Sequence, residues 1–226
     1  MTPYHESSNI RRIYLKSVEI PVAFANIRTG STNTVTLVIN SVTYTVTLTQ
    51  KLYSSVAALL TDINTAWAGA GVPSGYTPTF AISSNAATPY RITITSTSPT
   101  LAVKDTNLSK YILGLKSTDT FSGGVLSATS NYNLNVDNYL NFFITNISCA
   151  SPNMSGTITT FKIPLNATNN SIFYYLENAG FEQWVDVTDV NLVVSSLTVM
   201  IKDRFNNEID AQGGDYSFSL MFEYGN

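Results

Sequence analysis

The chain has 226 residues, enough to bury one substantial core, and 44% of them are hydrophobic, which excludes an intrinsically disordered protein. Charged residues make up only 12% and the net charge is −3, with no basic run beyond Arg11-Arg12, which argues against nucleic-acid binding as the main activity. In their place Ser, Thr and Asn fill 76 positions, giving a neutral polar surface that neighbours can cover without stripping water from many ions.

Residues 1–12 are polar and unpatterned and read as a flexible N-terminal arm, with a jelly-roll domain expected over 13–226. No apolar stretch follows a basic one at the N-terminus, so no secretory leader is expected, and no run approaches the ~18–20 apolar residues of a membrane span. From Ile13 the pattern changes to strand. In YLKSVEIPVAF, Val18, Ile20, Val22 and Phe24 share one face, and Pro21 implies an edge or a bulge.

Next, VTLVINSVTYTVTL alternates on both sides of Asn40-Ser41, with Val35, Leu37 and Ile39 answered by Val42, Tyr44, Val46 and Leu48. That predicts a β-hairpin. One helix is predicted in YSSVAALLTDINTAWAGAG, where Val56, Leu59, Leu60, Ile63 and Trp67 recur at intervals of three and four. Ser54 or Ser55 caps its start, and Gly69 or Gly71 ends it. PTFAIS and YRITITST give two more strands with Ile92 and Ile94 inward, Tyr111 to Leu115 a short apolar closing element, and residues 116–130 a loop of small side chains. The second half is again all strand: VDNYLNFFITNIS, TITTFKIPL, SIFYYLE, QWVDVTDV, LVVSSLTVMI and YSFSLMFEY. In the last two, Leu197, Val199 and Ile201 face one way, and Tyr216, Phe218, Leu220, Phe222 and Tyr224 form an aromatic inner face. Many short strands and a single helix point to an antiparallel sandwich or barrel.

Between those two strands lies IKDRFNNEID, with three acids, two bases and two asparagines. Asn206-Asn207 can take the positive φ of a tight turn and Gly213-Gly214 the next bend, so a charged corner at a sheet margin is the expectation. As chemistry it is weak. Asp203 with Glu208, or Asp186 with Asp189, could flank a glycosidic bond, but the Asp186–Asp189 spacing does not suit one strand face. Calcium binding through Asp203, Asn207 and Asp210 lacks regular ligand spacing. His5, the single histidine, lies in the arm, which leaves no Ser-His-Asp triad, Cys-His dyad or HExxH zinc site on a rigid frame.

Cys149 is the single cysteine, so an internal disulfide and a cysteine-based zinc site are excluded, and Gly123-Gly124 precedes no lysine-bearing helix of the phosphate-cradling kind. No catalytic residue, cofactor site or metal site is assigned. Trp184, Tyr174, Tyr175 and Phe181 could stack on sugars, although core packing explains Phe173 with Tyr175, or Tyr174, equally well. Sequons at Asn107, Asn146, Asn153, Asn166 and Asn169 are the number that so much Ser and Thr gives by chance.

The order of a first β-run, the hairpin VTLVINSVTYTVTL, the helix YSSVAALLTDINTAW, the strand pair FAISS and YRITITS, the pair ILGL, and the close IKDRFNNEID then DYSFSLMFEY resembles a known family. These are the penton and minor capsid proteins of virophages, polinton-like viruses and related large double-stranded DNA viruses. The resemblance spans Ile13 to Tyr224 and rests on alternation and punctuation, with Phe-Asn-Asn standing where a glycine is expected.

The resemblance implies an all-β protein, a single jelly-roll β-sandwich with one helix. The α+β region 28–126 is then either part of the roll or an insertion. It also implies a non-enzymatic homopentamer that closes the five-fold vertices of an icosahedral capsid. Its other partner would be the major capsid protein of the same virus, with synthesis in the host cytoplasm. Arg11 and Arg12 would make inner-arm contacts beneath neighbouring subunits. A carbohydrate-binding β-sandwich such as a fibre head or lectin, a minor cement protein and a carboxylate-pair hydrolase are the rival readings.

Overall fold

The computed structural model describes residues 10–135, 137–145, 147, 149–150, 161–165, 171–176, 183–187, 196–210 and 214–225. In chain order its elements begin with β1 (Ile10–Pro21), β2 (Thr34–Ile39), β3 (Val42–Thr47), α1 (Val56–Ala68), β4 (Thr79–Ile82), β5 (Ile92–Thr95) and β6 (Leu101–Lys104). A π-type turn at Leu108–Ile112 precedes β7 (Phe121–Ser122), β8 (Val125–Ser127), β9 (Tyr139–Ile144), β10 (Cys149–Ala150) and β11 (Phe161–Pro164). The chain closes with β12 (Ile172–Leu176), β13 (Trp184–Val187), β14 (Val199–Lys202) and β15 (Ser217–Tyr224). The chain divides into two compact units, 1–24 with 137–226, and 25–136.

The first unit is an antiparallel jelly-roll sandwich. β1 pairs with β15 along one side and with β12 and β13 along the other, and β10 lies beyond β13; the second sheet runs β11-β9-β14. The pairings nest: first strand with last, β9 with β14, β10 with β13, which is a long hairpin rolled on itself. The innermost strands β11 and β12 join β9 and β1 instead, and Gln183 links them through its side chain. Its Oε1 accepts from the Lys162 amide at 3.0 Å, and its Nε2 donates to the Tyr175 hydroxyl at 3.4 Å.

Both sheets feed one core that includes Ile13, Leu15, Val18, Leu140, Phe142, Phe161, Ile163, Phe173, Val185 and Ile201. The Phe142 ring stands 5.1 Å from Phe218 across the sandwich and 6.1 Å from Phe161.

A period-2 strand cannot bury Ile10, Ile13, Leu15, Val18 and Ile20 together, because their parity changes twice. The structure resolves this with two irregularities in the β1–β15 register, between Ile10 and Arg12 and between Leu15 and Ser17. Each extra residue resets the alternation and keeps the apolar side inward. Residues 1–9 of the expected arm lie outside the described residues, and Ile10, Arg11 and Arg12 are the first residues of β1. The expected inner face of β15 is corrected at its ends. Phe218, Leu220 and Phe222 pack on the core, but Tyr216 and Tyr224, at the two ends of the strand, are 40% and 58% exposed.

In the 25–136 unit the predicted hairpin forms as β2–β3, with Asn40 and Ser41 at φ 47° and 67°, the two left-handed positions that a two-residue turn needs. β6 pairs with the other side of β2. The predicted helix is α1. Ser55 caps it by accepting from the Ala58 amide, Gly69 ends it, and Val56, Leu59, Leu60, Ile63 and Trp67 are all buried. It is tied to β4 by Asn64, whose amide side chain donates to the Phe80 carbonyl at 2.9 Å and accepts from the Phe80 N–H at 2.7 Å, beside a Trp67–Phe80 ring stack.

The expected loop 116–130 is in part a hairpin. Gly123 and Gly124, at φ 59° and 81°, join β7 to β8, β8 extends the β4–β5 sheet, and Leu126 and Ala128 are buried.

Candidate assembly surface

The outward face of the β1-centred sheet follows from register. Opposite residues of neighbouring strands point the same way, so Arg12 and Tyr14 share a face with Asp186 and Trp184 of β13 and with Glu223 and Met221 of β15. Further along, Ser17, Glu19 and Pro21 share it with Leu176, Tyr174 and Ile172 of β12. Five large apolar side chains on this face reach solvent: Ile172 at 50%, Tyr174 at 62%, Leu176 at 70%, Trp184 at 40% and Met221 at 42%.

The charges at one end of the face are tied to one another. Arg12 Nε donates to Asp186 Oδ1 at 3.1 Å, and its Nη1 lies 3.6 Å from Glu223 Oε2. The Tyr14 hydroxyl donates to the same Glu223 oxygen at 2.6 Å, which raises the phenol above its ordinary range. The Arg12 guanidinium also covers the Trp184 ring at 4.5 Å. All three charged side chains are substantially exposed, so water and salt screen both pairs and they add little to stability.

The other sequence candidates do not converge. IKDRFNNEID is a corner: Asn206 has φ 68°, the backbones of Lys202 and Glu208 pair as an isolated antiparallel β-bridge, and the Ile209 amide donates to the Ile201 carbonyl. The Asp203 carboxylate is fully buried and accepts from the Phe205 and Asn207 amides, both at 2.8 Å, and from Asn207 Nδ2. It organises the turn, and Asn207 meets it as a donor, not as a fellow metal ligand.

Asp186 pairs with Arg12, while Asp189 lies outside the described residues, as do His5 and Phe181. Of the lectin-like aromatics, Tyr175 packs on the core and Tyr174 and Trp184 face out. They stand opposite Glu19 and Tyr14 respectively on β1. Among the sequons, Asn107 immediately precedes the π-type turn, and Asn146, Asn153, Asn166 and Asn169 are outside the described residues.

A cluster that sequence patterning did not pick out lies in the 25–136 unit. The Tyr53 hydroxyl donates to Asp62 Oδ2 at 2.5 Å and Lys51 Nζ lies 3.0 Å from the same oxygen. Burial first, and then the bond to Asp62, pushes the Tyr53 phenol well up; the bonds from Tyr53 and Lys51 hold the Asp62 carboxyl low. These three residues fasten the middle of α1 to the segment before it. Only the i, i+2 and i+11 spacing of Lys51, Tyr53 and Asp62 could have signalled it.

No protein-family model matches the chain, and no curated protein matches it. Among solved structures, that of the mavirus penton protein is similar, with 12% identity and a TM-score of 0.48 over 97% of this chain and 87% of that one. No helix among the described residues is long and apolar enough to cross a membrane.

Proposed function

We propose that the protein is a structural subunit of a viral capsid, the penton that closes five-fold vertices as a homopentamer set into a shell of the major capsid protein. The observation that carries this reading is a jelly-roll sandwich built from a chain with only 12% charged residues. A subunit that spends its life packed against others gains from such a surface, because burying unpaired ions costs several kcal/mol. Closed cyclic symmetry then lets one neutral flank meet a different flank of the next copy around the ring.

The sequence resemblance to penton and minor capsid proteins points the same way. The second reading, a carbohydrate-binding sandwich, draws on the exposure of Tyr174 and Trp184. Light scattering during size-exclusion chromatography, combined with a glycan-binding screen, separates the two. Pentamers that bind no sugar are expected; a sugar-binding monomer or trimer overturns the proposal.

A further inference from the structure

We infer that the outward face of the β1-centred sheet, along edge strand β12, is the surface on which a second copy of this chain docks. The inference rests on the capsid reading and names the face that assembly uses. Three observations carry it. First, Ile172, Tyr174 and Leu176 alternate on β12 and join Trp184 and Met221 on one continuous sheet face. At their exposures these five side chains leave on the order of 600 Å² of surface open to water, at the top of the range for the largest patch on a monomer. It is also about three quarters of the ~800 Å² that each partner contributes to a stable interface.

Second, β12 is an edge, with β1 on one side and no strand on the other among the described residues. Edges that must stay free are guarded by charge, proline or bulges, yet Ser171 to Leu176 reads SIFYYL and contains none of these. A strand of another chain can add along such an edge. Third, Arg12 holds both Asp186 and Glu223, so covering this end of the face buries a linked cluster with a single net negative charge and not three separate ions. A sugar site would instead need polar groups converging on its aromatic platform. Around Tyr174 stand Ile172 and Leu176 on its own strand and, across on β1, Glu19, which accepts from the Ser217 hydroxyl at 3.4 Å; a single carboxylate between two aliphatic side chains is not a converging polar set.

The test uses the full chain. Tyr174→Asp with Leu176→Asp places charge at two side chains that are mostly solvent-exposed, so circular dichroism should be unchanged while self-association weakens by at least ~100-fold. Val42→Thr with Tyr90→Ser removes exposed apolar surface from the other unit and should leave assembly intact. Independently, Leu176→Cys in a Cys149→Ser background, labelled with a maleimide-benzophenone that captures any neighbouring side chain, should give a photo-crosslinked dimer. Assembly that survives the double aspartate substitution, with no crosslink at position 176, overturns the docking face and leaves the capsid reading standing. A wild-type chain that never assembles sinks both. Loss of glycan binding without loss of assembly assigns the face to a sugar and overturns the inference.

Discussion

In the 25–136 unit many of the contacts that shape the fold are short in sequence, although β6 returns to β2 and pairs Leu101 with Ile39. Asn40-Ser41 turns β2 into β3, Gly123-Gly124 turns β7 into β8, and Asn64 reaches Phe80 only 16 residues away. In the sandwich, Ile10 pairs with Tyr224, and the Tyr14 hydroxyl bonds a carboxylate 209 residues further on. One region is specified by local turn chemistry, the other by which apolar faces find each other after most of the chain has been made. The difference extends to the surface: the outward sheet of the sandwich carries five exposed large apolar side chains, the face on which we infer that a second copy docks.

The largest expected effect falls on the sandwich core. Phe142→Ala removes a ring held between Phe161 and Phe218 and should cost ~3–5 kcal/mol in urea unfolding followed by circular dichroism. In a Trp184→Phe background, the emission of fully buried Trp67 should stay blue-shifted in this variant at low urea, because the 25–136 unit closes on its own contacts. Simultaneous loss of both signals would break the contrast between the units.

Next comes Gly114→Ala. Gly114 sits at φ 71°, and an added β-carbon would stand 2.7 Å from the Asn131 carbonyl oxygen, so a loss of ~2–3 kcal/mol is expected in the same assay. A neutral outcome would mean that the segment after the π-type turn can move aside.

Asp203→Ala should cost ~1–3 kcal/mol, because the Phe205 and Asn207 amides lose their acceptor. Asp203→Asn, which keeps a side-chain oxygen, should recover part of it. Equal losses for the two would show that the negative charge, not the turn geometry, matters.

The smallest effect is Tyr53→Phe. A phenol raised by burial contributes stability that is fully present below the ordinary tyrosine value of 10.0 and lost as pH rises above it. The depressed Asp62 carboxyl has the opposite sign, and its contribution is lost as pH falls below 3.8. The wild-type urea midpoint should therefore fall more steeply than that of Tyr53→Phe between pH 9 and 11, to the extent that unfolding follows this unit. Parallel curves would contradict the assignment.

The elements set by local chemistry were legible in the sequence. Asn-Ser between alternating runs, Ser55 ahead of a three-and-four apolar stripe, and the asparagines of IKDRFNNEID all act within a few residues of themselves. Residues 116–130 were less legible, because a strand of three residues is too short to show alternation beside so many small side chains.

The exposed aromatics of this face lie in the cluster FYYLENAGFEQW, which the sequence marked as able to stack on sugars or to pack in the core. Choosing between Tyr174 and Tyr175 as the outward residue was beyond sequence reading. That choice depends on β12 pairing with β1 beyond the bulge at Leu15–Ser17, more than 150 residues away. Nothing local encodes such a register.

Electron microscopy of the purified chain shows directly whether copies of it close into a ring. Rings of five copies that fall apart when Tyr174 and Leu176 become aspartate are the predicted result. Particles of a single copy at every concentration, or rings indifferent to that substitution, would contradict the account.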